Sequence, residues 1–365
     1  MSSPEDGGGG AGQPTVAHEP EGCPLADGEA APTDDAITVR IGARRSPLAV
    51  AQAQWVLDRL TALGARCELV GIDTQGDTDR RHLTEIGGTG VFAMAVRAAL
   101  IDGSIDVAVH SMKDLPTAPA PGLEIAAVPQ REDPRDVLVG CRLADLAEAM
   151  VIGTGSPRRQ AQLGAYAAKR GLRLEFRPIR GNVDRRLELV RTGAVDATLL
   201  AAAGLNRLGR LASLDLPHEL LGPEVMLPAA AQGALAVEIA TPARPGVREI
   251  VARLEHGGTR AQVLAEREFL RVLEAGCLAP VGVLADNGGG HDTTVDLTIL
   301  AVIGKTLLDN SDSGAATTSL LSVEGSAGTE ESVELGARLA RSALQRINDD
   351  QSSGPAPDLR GTERE

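Results

Sequence analysis

Twice in this chain a short apolar run ends in Ile-Gly and is followed within a few residues by Ser-Pro and a segment with apolar residues at helical spacing. Ile41-Gly42 leads to Ser46-Pro47, and Ile152-Gly153 leads to Ser156-Pro157. A serine followed by proline is a strong helix start, because the hydroxyl can accept an orphan amide and proline at the first helical position has no amide to leave unpaired. A strand feeding a helix in this way builds βαβ units, which need a sheet with helices packed on its faces. A second echo sets Gly103-Ser104-Ile105-Asp106-Val107 against Gly193-Ala194-Val195-Asp196-Ala197. The two sets predict two α/β domains of similar build. The first takes 37–130 with 228–248 crossing back to it, and the second takes 131–227.

Within the first set the pattern predicts strands at 37–42, 68–72 and 105–109, and helices at 47–63 and 91–102. Residues 74–90 are polar and contain Gly87-Gly88-Thr89-Gly90, so they read as a flexible loop. Residues 249–348 change character and predict an α+β domain. An amphipathic helix at 259–274 sets Val263, Leu264, Phe269, Leu270 and Leu273 on its apolar side, with Gly276 ending it and Cys277 following. Strands are expected at 281–285, 294–303 and 317–323, and a last helix at 330–347. Residues 1–36 are Gly, Pro, Ala and acids, with eight acids and no Lys or Arg. They and residues 349–365 are too poor in apolar side chains to bury a core and are expected to be disordered tails.

The formal charge of −14 therefore sits mostly in the tails, and the body is nearly neutral. Its basic residues are mostly arginines in clusters, without the broad positive face of a nucleic-acid binder. Cys23, Cys67, Cys141 and Cys277 are far apart with no CxxC pair, which argues against a zinc site and for free thiols in a reducing cytosol. No signal peptide is expected, and no apolar run approaches the roughly 20 residues of a membrane span. Aromatics are scarce (Trp55, Tyr166, Phe92, Phe176 and Phe269), so the core must be built from Ala, Leu, Val and Ile.

In open α/β sheets ligands bind beyond the C-terminal ends of strands. That rule selects Arg44 to Ser46, His110 to Asp114, and Thr154 to Arg159. Arg44, Arg158 and Arg159 lie at helix starts, where the macrodipole disfavours cations. One reading is an anion site made of free amides and guanidinium groups; the other is that the arginines face solvent or pair with local acids. Arg180-Gly181-Asn182 with Arg186, and Arg207 after another strand, enlarge the set. So many arginines about one cleft imply a ligand with several carboxylates, with phosphates remaining possible. A carboxylate such as Asp114 in that setting is suited to stabilising a developing cation or shuttling protons, unless it simply pairs with Lys113. His110 reads as a structural hydrogen-bonder rather than a base. Cys277 reads either as an accessible loop thiol or as a small buried hydrophobe.

In order along residues 39–285, the segments His110-Ser-Met-Lys-Asp114, Arg131-Glu-Asp-Pro-Arg-Asp136, Arg180-Gly-Asn182, Gln232-Gly-Ala234 and Glu274-Ala-Gly-Cys277 resemble hydroxymethylbilane synthase, also called porphobilinogen deaminase. The resemblance implies two α/β domains like those of type II periplasmic binding proteins and a C-terminal α+β domain. It implies a dipyrromethane cofactor joined by thioether to Cys277. It also implies stepwise condensation of four porphobilinogen molecules, with loss of ammonia, into a linear tetrapyrrole. Asp114 would be the catalytic carboxylate, stabilising cationic azafulvene and pyrrole intermediates. The family positions that hold acetate and propionate side chains fall on Lys113, Arg44, Ser46, Arg158, Arg159, Arg180, Arg186 and Arg207, with Gly181, Thr154, Ser156, Ser111 and Gln232 alongside. Phe92 would pack near the pyrroles. Glu85 and Thr89 stand where many relatives carry Lys, and Gly155 and Pro157 where Ser and Leu are common. The resemblance also suggests a cytoplasmic monomer without nucleic-acid or membrane partners. The rival from another class is a non-catalytic anion-binding clamp, which needs neither Asp114 nor Cys277 nor a third domain.

Overall fold

The computed structural model describes residues 37–73, 91–275, 279–287, 296–304 and 320–352. The expected tail at 1–36, the loop 74–90 with Glu85 and Thr89, the side chain of Phe92, and Cys277 lie outside the described residues.

Strands are numbered in chain order. The first sheet contains β1 (Thr38–Arg44), β2 (Arg66–Ile72), β3 (Val107–Ser111), β4 (Leu123–Ala127) and β10 (Leu235–Ala240), in the order β2-β1-β3-β10-β4. β1 is parallel to β2 and β3, and β10 is antiparallel to β3 and β4. Helices α1 (Pro47–Ala62) and α2 (Val91–Ile101) belong to this unit. The second sheet contains β5 (Asp136–Val139), β6 (Val151–Gly153), β7 (Glu175–Arg177), β8 (Ala197–Ala201) and β9 (His218–Leu220), in the order β7-β6-β8-β5-β9. Its helices are α3 (Pro157–Lys169), α4 (Val183–Arg191) and α5 (Ala202–Arg207). Again one strand, β5, is antiparallel to both neighbours. The two sheets share one α/β plan, with one antiparallel strand, the late β10 or β5, set into an otherwise parallel sheet.

The repeated motif corresponds to repeated geometry. Ile41 and Gly42 register with Val107 and Ala108, and Ile152 and Gly153 register with Ala197 and Thr198. The Asp106 carboxylate accepts the Arg40 amide at 2.9 Å, and Asp196 accepts the Val151 amide at 2.7 Å. A Cβ on Gly42 would meet Ile105 at 2.3 Å, and one on Gly153 would meet Val195 at 3.1 Å. The Ile-Gly and Gly-x-x-Asp echoes thus describe one contact made twice: a glycine admits the branched residue that precedes the aspartate.

The chain then forms α6 (Val247–Ala252) and α7 (Gly257–Val272). The antiparallel sheet β11 (Val281–Asp286), β12 (Leu297–Gly304), β13 (Leu320–Ala327) follows, and then α8 (Ser332–Ser352). Phe269, Leu273, Val283, Ile299, Ile303, Leu335 and Leu339 are buried together between this sheet and α7 and α8. Leu264 departs from expectation: it is exposed, because the buried stripe of α7 runs through Ala261, Ala265, Glu266 and Phe269. The last helix also continues through 349–352, where composition suggested tail. Its amphipathic pattern carries it past Ile347 before Gly354 and Pro355 can stop it. Among the described residues no helix is long and apolar enough to cross a membrane.

Candidate active site

β3 runs two residues further than its apolar pattern suggests, because β10 pairs Leu235 with Ser111 and Ala236 with His110. Met112–Asp114 then make a single 3-10 turn, with Met112 buried and Asp114 exposed at its end. Facing this turn is the start of α1. Ser46 caps it by accepting the Ala49 amide at 3.4 Å, and Arg44 is the last residue of β1. These elements enclose a pocket lined by Arg44, Ser46, Leu48, Ala49, Gln52, Ala93, Val109, His110, Ser111, Asp114 and Leu115. Four of the expected residues, Arg44, Ser46, Ser111 and Asp114, therefore meet. The Ser111 hydroxyl lies 2.8 Å from Gln52 Nε2 and 3.1 Å from its Oε1, so a buried glutamine of α1 fixes the strand end. His110 turns to Glu238, with Nε2 3.4 Å from the carboxylate that Arg97 also grips at 2.8 and 2.9 Å. The His110–Glu238 contact falls outside hydrogen-bond geometry: His110 Nε2 is buried with no hydrogen-bond partner among the described residues.

The second domain contributes a buried cluster. Arg158 and Arg159, in the first turn of α3, reach inward to Asp136, the first residue of β5. Arg158 Nη1 donates to Asp136 Oδ2 at 2.6 Å and to the Leu227 carbonyl at 2.7 Å. Arg159 Nη2 donates to Asp136 Oδ1 at 2.7 Å, and its Nη1 donates to the Leu199 carbonyl at 2.8 Å. Burial acts to raise the Asp136 pKa, but the two guanidinium groups outweigh it and hold the carboxyl well below the usual range. Both arginines pair with a local acid, which neutralises the cations that the helix start disfavours. It leaves capacity over, since Arg159 Nε is buried without a hydrogen-bond partner among the described residues.

Gln232 joins this cluster to the pocket. It is buried; its Nε2 donates to the Pro134 carbonyl at 2.8 Å and to Asp136 at 3.0 Å, and its Oε1 accepts from Lys113 Nζ at 3.2 Å. Burial lowers the Lys113 pKa, with the adjacent Asp114 opposing the shift. The backbone beside it is tight: Gly233 has φ +91°, and a Cβ there would lie 2.3 Å from the Glu132 carbonyl oxygen. Arg207 donates to the Gly233 carbonyl at 2.6 Å, and burial lowers its pKa to about 10. Arg186 is likewise lowered to about 10, first by burial and then by the neighbouring charge of Arg159. Its Nε donates to the Gly181 carbonyl at 3.0 Å. Arg180 and Gly181 are exposed at the start of α4, which Asn182 caps by accepting the Arg185 amide at 2.9 Å. Thr154 is buried and accepts the Ser156 amide at 3.2 Å, while the Ser156 side chain makes no cap bond.

Sequence reasoning gave no role to Asp136, Gln52 or Glu266. Asp136 had a signal: an acid opening the fully buried strand Asp-Val-Leu-Val must have partners. Gln52 and Glu266 had none beyond polar residues on otherwise apolar helix faces. Among the described residues no group of His, Cys, Asp and Glu is suited to holding a metal.

The family described as porphobilinogen deaminase, dipyromethane cofactor binding domain, matches residues 39–245, and the porphobilinogen deaminase C-terminal domain matches residues 260–345. Porphobilinogen deaminase 1 of Streptomyces coelicolor is 51% identical over 272 residues, covering 73% of this chain and 84% of that protein. The porphobilinogen deaminase of Thermobifida fusca is 49% identical over 251 residues, covering 68% and 76%. With both family domains matched in order and half the aligned residues shared with such relatives, the chain belongs to the porphobilinogen deaminase family.

Proposed function

We propose that the pocket at the end of β3 is the reaction centre and that Asp114 is its catalytic carboxylate. The chain is a hydroxymethylbilane synthase, condensing four porphobilinogen molecules with loss of ammonia on a dipyrromethane primer. The observation that carries the residue assignment is the juxtaposition of one exposed carboxylate, Asp114, with Arg44, Ser46 and Ser111 in a single pocket. Lys113 bridges that pocket, through Gln232, to the buried arginines.

The residues fit a polycarboxylate cofactor. Arg159 keeps a buried donor without a partner among the described residues, and Arg186 and Arg159 repel one another. Both are relieved by an anionic group between them. Arg158, Arg159, Arg186 and Lys113 would hold the primer's carboxylates, with Arg180 and Ser156 at the rim. When bound, the dipyrromethane supplies an anchored pyrrole whose free α-carbon is nucleophilic. Arg44 and Ser46, at the start of α1, are placed to hold substrate carboxylates beside Asp114. The Asp114 carboxylate can then hold a proton on the departing nitrogen and offset the positive charge left on the pyrrole. Arg207 extends the positive lining toward Gly233, and Thr154 shapes the turn into α3.

The reading includes Cys277 as the thioether anchor and a monomeric cytosolic enzyme; the free thiols Cys67 and Cys141 support a reducing compartment. Intact mass with peptide mapping tests the anchor. Two linked pyrrole units on Cys277 are expected, and an unmodified, fully active chain would overturn it. For Asp114, Asp114→Asn is expected to keep that added mass and lose most turnover; near-normal turnover would remove Asp114 from the mechanism.

A further inference from the structure

α7 carries two adjacent charged side chains whose partners lie largely outside its own domain. Glu266 is fully buried and accepts Arg131 at 2.7 and 3.0 Å, the Ala231 amide at 2.6 Å and the Ala285 amide at 2.9 Å. Arg267, about 100° further round the helix, points elsewhere. Its Nη1 donates to the carbonyl oxygens of Met112 at 3.3 Å and Leu115 at 3.1 Å, and its Nη2 donates to that of Pro116 at 2.5 Å. Those three carbonyls bracket Lys113 and Asp114.

The turn that presents Asp114 has little backbone bonding of its own. Met112 donates to Ala234 at 3.0 Å, and Leu115 closes the turn on Met112 at 3.2 Å. The carbonyls at the C-terminal end of such a turn are acceptors without helical partners, and a cation is well suited to them. Met112 and Leu115 are buried, so the turn is wedged by its apolar side chains and clamped by one guanidinium. The clamp comes from the C-terminal domain, on the helix that ends at Val272, shortly before Cys277.

We propose that Arg267 is a positioning residue for the condensation. It fixes the 112–116 turn so that Asp114 meets the reacting nitrogen. This rests on Asp114 being the catalytic carboxylate. A displacement of about 1 Å at a reacting group can lower a rate about a hundredfold, so a clamp on the turn is a control on turnover rather than on binding.

The test uses holoenzyme whose cofactor content is checked by intact mass. Arg267→Met keeps the aliphatic stem and removes the donors. It is expected to lower kcat by about ten- to a hundredfold with KM for porphobilinogen within about twofold. Arg267→Lys, which can serve one carbonyl, is expected to show the same split with a smaller loss, and it carries the test if Arg267→Met does not accumulate as holoenzyme. In an Asp114→Glu background, Arg267→Met is expected to cost far less than its own factor, because the group it positions is already displaced. A kcat per holoenzyme within about twofold of wild type, with only a lower melting temperature, would reduce Arg267 to a brace and overturn the proposal. So would an undiminished loss in the Asp114→Glu background. Near-normal turnover of Asp114→Asn is a separate outcome, which removes the reading on which this one rests.

Discussion

Asp136→Asn exchanges one carboxylate oxygen for an amide group and leaves side-chain volume nearly unchanged. In the wild type both oxygens are occupied: Oδ2 accepts Arg158 at 2.6 Å, and Oδ1 accepts Arg159 at 2.7 Å and Gln232 at 3.0 Å. Asparagine can accept on one side only, so its amide must face a guanidinium group or the Gln232 amide, donor against donor. Arg158 and Arg159 keep the Leu227 and Leu199 carbonyls but lose the acid they share. Breaking a buried ion pair from one side costs about 3–5 kcal/mol. At a urea slope of about 2 kcal/mol/M that is a fall of about 2 M in the unfolding midpoint at pH 7. The pH dependence has a fixed sign. The folded-state pKa of Asp136 lies below its unfolded value, so its contribution is complete above about pH 4–5 and is lost as pH falls toward the folded value. The wild-type advantage should be level between about pH 5 and 8 and shrink on acidification. A midpoint change under about 0.5 M at pH 7, or an advantage that grows below about pH 4, would refute the reasoning that this is a dry, charge-compensated cluster.

Gln232→Glu places a carboxylate where an amide donates to Asp136, and should lower stability at pH 7 by about 2 kcal/mol, with partial recovery as pH is lowered; urea midpoints across pH measure this. Arg186→Leu and Arg158→Leu should differ in kind. The first removes a cation repelled by Arg159 and is expected to impair chain extension, followed by mass spectrometry of bound intermediates, at little cost in urea midpoint. The second leaves Asp136 half-paired and should lose about 3 kcal/mol as well. Because burial lowers Arg207 to about 10, KM for porphobilinogen should begin to rise near pH 10 as it loses its charge, and Arg207→Leu should flatten that rise.

Much of the fold was legible because its signals are local. The Ser-Pro starts of α1 and α3 depend on neighbours a few residues away, and the paired Gly-x-x-Asp segments were readable from their repetition although their aspartates bond Arg40 and Val151 across 66 and 45 residues. Strand ends were less legible, because β3 ends where β10 stops pairing with it, and β10 lies far along the chain. The site divided along the same line. Asp114 and the arginines could be found from their places at strand ends, but the partner that turns Arg158 and Arg159 inward is Asp136, set opposite them only by the second sheet. Leu264 reads as core by type and is exposed by angle.

The antiparallel strands also set the order in which the domains can be completed. β4 joins the first sheet only through β10, whereas the second sheet has all its strands once β9 has been made. On a ribosome, the N-terminal sheet therefore waits, three strands formed and β4 unpaired, until Ala240 has emerged, while the domain encoded after it can already close. The first domain to begin is the second to finish, and a fragment ending between Leu220 and Leu235 would carry a complete second sheet beside an open first one.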